Sequence, residues 1–158
     1  MAIKIFSVRI LLEEEIEMME EINIFTDGGS RGNPGPAGIG VYIADKNGKE
    51  IASIGKRIGL ATNNVAEYKA VLEALAWILA NKEALGNNPK INFFLDSKLV
   101  YSQIAGLFKI KNPFLRTLLY EVREKEAQVK GRIFYNHIPR EKNIKADEMV
   151  NKALDNLI

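Results

Sequence analysis

The chain has 158 residues, a formal net charge of +2, 47% apolar residues, no cysteine and one histidine. This length fits one domain with a single hydrophobic core. Without cysteine, disulfides, iron–sulfur clusters and thiolate zinc sites are excluded, and one histidine cannot build a histidine-based metal site. Any metal must therefore be held by oxygen atoms. Because the net charge is small, a nucleic-acid site would have to be a local patch or use neutral donors.

The sequence also bears on where the protein acts. Its apolar stretches are far shorter than the roughly 20 residues that a membrane span requires. The first residues lack the basic segment and apolar run of a signal peptide. We therefore expect a cytoplasmic protein that does not contact a membrane. Separately, we predict a monomer.

Residues 1–21 differ in pattern from the rest and are predicted to form an N-terminal extension. AIKIFSVRIL (2–11) is typical of a strand, and LEEEIEMMEE (12–21) of an acidic amphipathic turn or short helix. Six glutamates follow Arg9, so this segment should repel phosphates. We prefer to interpret this segment as an added edge strand or a helix packed on the core. The less favoured alternative is an arm that binds a partner.

The next segment predicts three antiparallel strands. INIFTD (22–27) is apolar and precedes the Gly/Pro-rich loop GGSRGNPGPAG (28–38), which favours a buried central strand. GIGVYIAD (38–45) and KEIASIGKRI (49–58) flank Asn47-Gly48, a strong signal for a hairpin. The chain therefore begins as a β-meander.

Helices and strands then alternate. The predicted elements are a long helix that begins at Thr62-Asn63-Asn64 and ends near Gly86 and Pro89, a strand KINFFLD (90–96), a short helix capped by Ser97 that ends at about Gly106, a helix from Asn112-Pro113 to about Val129, a strand GRIFYNHI (131–138), and a final helix capped by Asn143. A meander followed by this alternation predicts an α/β mixed sheet.

Four carboxylates stand at the ends of these strands or early in the helices: Asp27, Glu67, Asp96 and Asp147. Each has an ordinary explanation, because aspartates often cap turns and helices and a helical glutamate is often solvated. However, a carboxylate near the centre of a sheet is costly unless it meets a cation or donors. If two carboxylates approach each other, the pKa of one rises, and a divalent ion would remove that repulsion.

Taken together, INIFTD, GGSRGNPGPAG, ATNNVAEYKAVLEAL, INFFLDS and HIPREKNIKADEMVNKAL resemble the ribonuclease H type 1 family over about residues 22–158. The resemblance implies a catalytic domain over 22–158 with a five-stranded mixed sheet and helices on both faces. It also implies that Asp27, Glu67, Asp96 and Asp147 are catalytic and hold two Mg²⁺ ions, with Mn²⁺ as a possible substitute. The implied activity is endonucleolytic cleavage of the RNA strand of an RNA/DNA hybrid, leaving 5′-phosphate and 3′-hydroxyl ends.

The same resemblance implies that Asn33, Thr62, Asn63 and Asn64 contact the substrate. We add Gly28, since glycine allows close approach of a sugar-phosphate chain, and the cation Lys98. Amide side chains suit this role because the wide minor groove of such a hybrid presents 2′-hydroxyls and base edges. The glycine-rich loop does not resemble an ATP site, since it lacks Gly-Lys-Ser/Thr and leads into a strand.

The single histidine departs from the better-known family pattern. His137 lies ten residues before Asp147, which matches the histidine of many members by count alone. Its sequence context instead predicts a strand end, and the short Arg140-Glu141-Lys142 segment resembles a branch in which arginine replaces that histidine. We therefore favour Arg140 as the auxiliary catalytic residue.

Two alternative functions remain open at this point. A related two-metal nuclease or transposase-type domain would carry carboxylates on the same fold. A non-catalytic module that binds RNA/DNA hybrids would belong to another class. The presence of all four carboxylates argues against the non-catalytic module, because without metals their negative charges would weaken binding to a polyanion.

Overall fold

The computed structural model describes residues 18–158, and in that range five strands and four helices form the fold. The strands are β1 (Met19–Ser30), β2 (Gly35–Asp45), β3 (Glu50–Ala61), β4 (Leu85–Leu95) and β5 (Arg132–His137). The helices are α1 (Asn63–Ala80), α2 (Lys98–Ile104), α3 (Pro113–Gln128) and α4 (Ile144–Leu154). Short 3₁₀ turns occupy Lys82–Ala84 and Arg140–Lys142. No helix within 18–158 is long and apolar enough to cross a membrane.

The strands form one mixed sheet in the order β3-β2-β1-β4-β5. Strands β1, β2 and β3 pair antiparallel, whereas β4 and β5 continue the sheet in parallel from β1. The predicted meander and the five-stranded mixed sheet are therefore confirmed. The β2–β3 turn closes with a hydrogen bond from the Asp45 N–H to the Lys49 carbonyl (2.9 Å). Gly48 in that turn has a φ of 84°, which favours glycine.

The hydrophobic core lies between the sheet and helices α1 and α3. Ile22 and Ile24 of β1 are fully buried and alternate with half-buried neighbours, as expected for a central strand. Tyr68 of α1 and Phe93 of β4 are among the largest fully buried side chains. Trp77 of α1 is half-buried and packs against this core.

Helices pack on both faces of the sheet, as predicted. Successive residues of a strand point to opposite faces. A Cβ on Gly28 would meet the backbone of Ala66 in α1, whereas a Cβ on Gly29 would meet Val150 of α4. Helices α1 and α4 therefore sandwich the end of β1, and a residue in this part of β1 can be reached from both layers.

Two boundaries differ from the sequence prediction. Helix α1 ends at Ala80, well before Gly86 and Pro89, which belong to β4. The reason is that β1 begins at Met19, whose pairing with Leu85 extends β4 toward its N-terminus. Residues 19–21 are therefore strand and not part of an acidic turn or helix. The predicted strand over 2–11 and the acidic segment up to residue 17 lie outside the described residues, and the domain division at residue 22 stays a prediction.

Candidate active site

The end of β1 and the end of β4 form one edge of the sheet. Their parallel register places Asp27 beside Asp96, the residue directly after β4. Glu67 reaches this edge from α1 and Asp147 from α4, so the four predicted carboxylates line one cleft of about 470 Å³. Such crevices at the carboxyl ends of parallel strands are the usual ligand sites of α/β sheets.

Glu67 is positioned by the start of α1 and by a close helix–sheet approach. The Thr62 hydroxyl oxygen accepts a hydrogen bond from the Val65 N–H (3.3 Å), which caps the helix and places Glu67 about one turn inside it. A Cβ on Gly28 would lie only 2.2 Å from the carbonyl carbon of Ala66. The glycine thus allows α1 to approach β1 closely enough for Glu67 to face Asp27.

Asp147 depends on a second close approach, between α4 and β2. A Cβ on Gly40 would lie 2.1 Å from the carbonyl oxygen of Ala146, the residue before Asp147. Asn143 occupies the N-cap position of α4, as predicted, but its side chain makes no capping hydrogen bond. It is turned instead toward β1 and β4, where a buried carbonyl and the Asp96 carboxylate accept from it.

Three of the carboxylates form a compact group suited to a divalent ion. Asp27, Glu67 and Asp96 each offer an oxygen, and these oxygens lie within 4.8 Å of one another. The Glu67 Oε2 atom is buried and has no hydrogen-bond partner among the described residues. Hard carboxylate oxygens with an unpartnered buried acceptor fit Mg²⁺ or Mn²⁺. Asp147 lines the cleft outside this group and is exposed to solvent.

Backbone hydrogen bonds fix the orientation of two side-chain amides, those of Asn33 and Asn63. The Asn63 side-chain oxygen accepts from the Ser30 N–H (2.8 Å), and the Asn33 side-chain oxygen accepts from the Asn63 N–H (3.1 Å). A backbone N–H can only donate, so it determines which end of each amide faces it. Both NH₂ groups are therefore left to donate elsewhere, as a site for phosphate or hydroxyl oxygens requires.

The other predicted substrate contacts fall in three places. Gly28, Asn63 and Asn64 line the carboxylate cleft. Asn33 and Thr62, again with Asn64, line a neighbouring depression of about 290 Å³. Lys98, the exposed first residue of α2, lines neither. Among the other residues that line the cleft are Ser30 and Asn151, for which no sequence pattern gave a signal.

Comparison with known proteins decides the family. A family model described as "Reverse transcriptase-like" matches residues 25–153. The chain is 41% identical over 139 residues to a bifunctional protein of Mycobacterium tuberculosis, covering 85% of this chain and 36% of that protein. It is 32% identical over 152 residues to a ribonuclease H of Chromobacterium violaceum, covering 87% of this chain and 97% of that protein. The chain belongs to the ribonuclease H type 1 family.

A solved structure agrees with this assignment. The ribonuclease H1 LC11, isolated from compost by a metagenomic approach and crystallised with an RNA/DNA hybrid, is 39% identical to this chain. The match has a TM-score of 0.79 and covers 86% of this chain and 98% of that one. The chain spans only about a third of the length of the mycobacterial relatives, so the activity of the whole protein remains a proposal.

Burial and mutual repulsion make the ribonuclease H carboxylates hard to ionise without a cation. The pKa of Asp27 is raised from 3.8 to about 7. Burial is the larger cause, and the negative charge of Asp96 is the next. Burial, followed by the charge of Asp27, raises the pKa of Glu67 well above its ordinary value. The pair of Asp27 and Glu67 therefore retains a proton to a higher pH than isolated carboxyls would. A divalent ion would have to displace that proton.

The raised pKa values predict how stability depends on pH. The folded state binds protons that the unfolded state has already released, so the stabilising contribution is complete below about pH 4 and is lost as the pH rises through about 7. We expect these carboxyls to lower the metal-free Tm as the pH rises from about 4 to about 7. Added Mg²⁺ should raise Tm mainly at the higher pH, since it binds the ionised cluster.

Thermal unfolding with a chelator and with Mg²⁺, across this pH range, measures both effects. Asp27→Asn provides the comparison, because its neutral amide should make the metal-free Tm less sensitive to pH. A Mg²⁺-induced rise in Tm that is as large at about pH 5 as at pH 8 would contradict the assignment of protonated carboxyls.

The two candidate auxiliary residues lie in different surroundings. Arg140 begins the 3₁₀ turn before α4 and lines the carboxylate cleft. The His137 Nε2 atom lies 3.1 Å from the main-chain oxygen of Asp96, and its ring packs against Tyr101 with a centroid separation of 5.7 Å. His137 is not among the residues that line the cleft. This arrangement favours Arg140, although its catalytic role stays a prediction.

We expect Arg140→Ala to lower kcat for hybrid cleavage by about 10-fold or more, because a positive charge beside the reacting phosphate is lost. We expect His137→Ala to lower it less. Steady-state kinetics of both variants on one RNA/DNA hybrid measures the order. Lys130→Ala, at an exposed position just after α3, is the control for removing a surface cation. The reverse order would identify His137 as the auxiliary group.

Proposed function

We propose that this chain is a divalent-metal-dependent endoribonuclease that cleaves the RNA strand of RNA/DNA hybrids and leaves 5′-phosphate and 3′-hydroxyl ends. The observation that carries the proposal is the group of oxygens from Asp27, Glu67 and Asp96 within 4.8 Å of one another, at the bottom of an open cleft. Support also comes from the hybrid bound to the related LC11 enzyme.

The proposed ligand set consists of Asp27, Glu67 and Asp96, with Asp147 completing a second position from α4. When bound, two Mg²⁺ ions, or Mn²⁺ in their place, would supply an activated water nucleophile and neutralise charge on the leaving 3′-oxygen. The residues themselves would hold the ions and would release protons on binding them. The Arg140 guanidinium, which cannot act as a base near neutral pH, would stabilise charge on the phosphate.

The chain's donors are proposed to select the RNA strand. Asn33 and Asn63 each have a side-chain oxygen engaged by a backbone N–H, so their NH₂ groups are available to 2′-hydroxyl or phosphate oxygens. These donors are neutral, which fits a chain whose net charge is only +2. Gly28, Thr62, Asn64 and Lys98 complete the proposed contacts, and a cytoplasmic monomer remains the predicted form.

The proposal is tested by incubating the protein with an end-labelled RNA/DNA hybrid, a matched DNA duplex and a matched double-stranded RNA. Each substrate is tested with Mg²⁺, with Mn²⁺ and with a chelator. The expected result is metal-dependent cutting of the RNA strand of the hybrid, with 5′-phosphate product ends. Cutting of the DNA duplex would favour a transposase-type nuclease. Tight binding of the hybrid without cutting in either metal would favour a non-catalytic binding module.

A further inference from the structure

Asn143 is one of the few buried polar residues of the described chain, with only 1% of its surface exposed. It joins the 3₁₀ turn at Arg140–Lys142 to α4. An asparagine in this position usually accepts a hydrogen bond from the first turn of the helix. Here the side chain of Asn143 does not make that bond and contacts other partners.

Those partners belong to the strands that carry the carboxylates. The Asn143 Nδ2 atom donates to the carbonyl oxygen of Thr26 and to Oδ2 of Asp96, both at 2.9 Å. Thr26 directly precedes Asp27 in β1. The main-chain carbonyl of Asn143 also accepts from the N–H of Asp147 (3.2 Å). One residue thus contacts the β1 backbone, the Asp96 carboxylate and the backbone of Asp147.

The Asp96 carboxylate needs such a restraint. Its side chain is half-buried beside Asp27 and Glu67, and like charges at this distance repel. A carboxylate free to rotate would turn away from the other two and toward solvent. A neutral amide that donates to Oδ2 holds its orientation without adding a positive charge that would compete with a cation.

We infer that Asn143 is a positioning residue for the metal site: its hydrogen bond to Asp96 Oδ2 keeps that carboxylate directed at Asp27 and Glu67. This inference rests on the proposed metal-dependent function. A purely structural role, in which Asn143 only anchors α4 to the sheet, makes a different prediction. Loss of an anchor lowers stability but leaves the affinity of the folded site for an ion unchanged.

The test measures Mn²⁺ binding by calorimetry on the full chain without substrate, together with the metal-free Tm and steady-state kinetics on a hybrid. Asn143→Ser keeps a residue favoured at a helix N-terminus, but its hydroxyl is one bond shorter and does not reach Asp96. Asn143→Ala removes the donor altogether. Ala153→Gly is the matched control, because it loosens α4 at a buried position away from the carboxylates.

Both Asn143 variants are expected to bind Mn²⁺ about 10-fold to 100-fold more weakly and to lose kcat, with KM for the hybrid changed by about twofold or less. Ala153→Gly is expected to lower Tm with the Mn²⁺ affinity of the wild type. If Asn143→Ser and Asn143→Ala bind Mn²⁺ as tightly as the wild type while their Tm falls, Asn143 is only an anchor and the inference is overturned.

If the wild-type protein neither binds Mn²⁺ nor cuts the hybrid, the proposed function itself is overturned. Failure of the proposed function is therefore seen in the wild type, whereas failure of the inference about Asn143 is seen in the variants. If the variants do not fold, NMR of the wild-type protein still tests whether Asn143 responds to metal binding. The side-chain amide NMR signals of Asn143 are expected to shift on titration with Mg²⁺ in step with saturation of the site. Signals that stay fixed at saturation would overturn the inference.

Discussion

Asp27→Asn and Asp96→Asn are each expected to lower hybrid cleavage by more than about 100-fold, since even residues that only support metal ligands contribute about 10-fold to 100-fold. Both side chains belong to the group of three carboxylates whose oxygens lie within 4.8 Å of one another. A neutral amide keeps the shape of the side chain but offers a weaker ligand and one donor group that repels a cation. Steady-state kinetics with Mg²⁺ on an RNA/DNA hybrid measures the loss.

The same substitutions should leave the fold intact. Asp27 is buried with a pKa raised to about 7, so its replacement by a neutral residue relieves repulsion in the metal-free protein. We therefore expect the metal-free Tm near pH 8 to be equal to or above that of the wild type. Glu121→Gln, at an exposed position on α3 away from the cleft, is the control for loss of one negative charge. Turnover near the wild-type rate in either aspartate variant would disprove the assignment of the metal site.

Gly28→Ala is expected to lower both stability and activity, because a Cβ at this position would lie 2.2 Å from the backbone of Ala66. Helix α1 must then move away from β1. Overpacking of this kind costs about 3 kcal/mol of unfolding free energy. A displacement of Glu67 by about 1 Å would lower kcat by about 100-fold. Denaturant unfolding and hybrid-cleavage kinetics measure the two losses separately.

The neighbouring glycine provides a matched control. A Cβ on Gly29 would lie 3.8 Å from Cγ1 of Val150, which is an ordinary contact. Gly29→Ala is therefore expected to retain activity and to change the unfolding free energy by about 1 kcal/mol at most. Equal effects of the two substitutions would show that the helix–sheet approach at Gly28 does not position Glu67.

Much of the fold could be predicted from local patterns. The apolar INIFTD strand, the Asn47-Gly48 hairpin and the caps at Thr62 and Ser97 each depend on residues close in sequence, and the structure agrees with them. The end of α1 and the start of β4 could not be predicted in this way. They depend on the pairing of Met19 with Leu85, residues far apart in the chain, whose contact no local pattern reveals.

The residue types and their order establish which chemical groups are available: oxygen ligands for any metal, four carboxylates at strand ends and early helix positions, and neutral amides near them. These features follow from residue type and from periodicity, and the resemblance to ribonuclease H adds their roles. How these groups come together depends on contacts between elements that are distant in the chain. Close approaches at Gly28 and Gly40 place α1 and α4 against the sheet, because only glycine leaves room for the helix backbone.

Asn143 illustrates the same distinction most clearly. In the sequence, an asparagine before a helix is a cap, since the alternative partners lie in strands more than 40 residues away. In the folded chain, its NH₂ group donates to both the Thr26 carbonyl and Asp96 Oδ2, while its side-chain oxygen has no partner among the described residues. A buried carbonyl and a half-buried carboxylate lose more by staying unpaired than a helix end that water can reach, so the side chain turns inward.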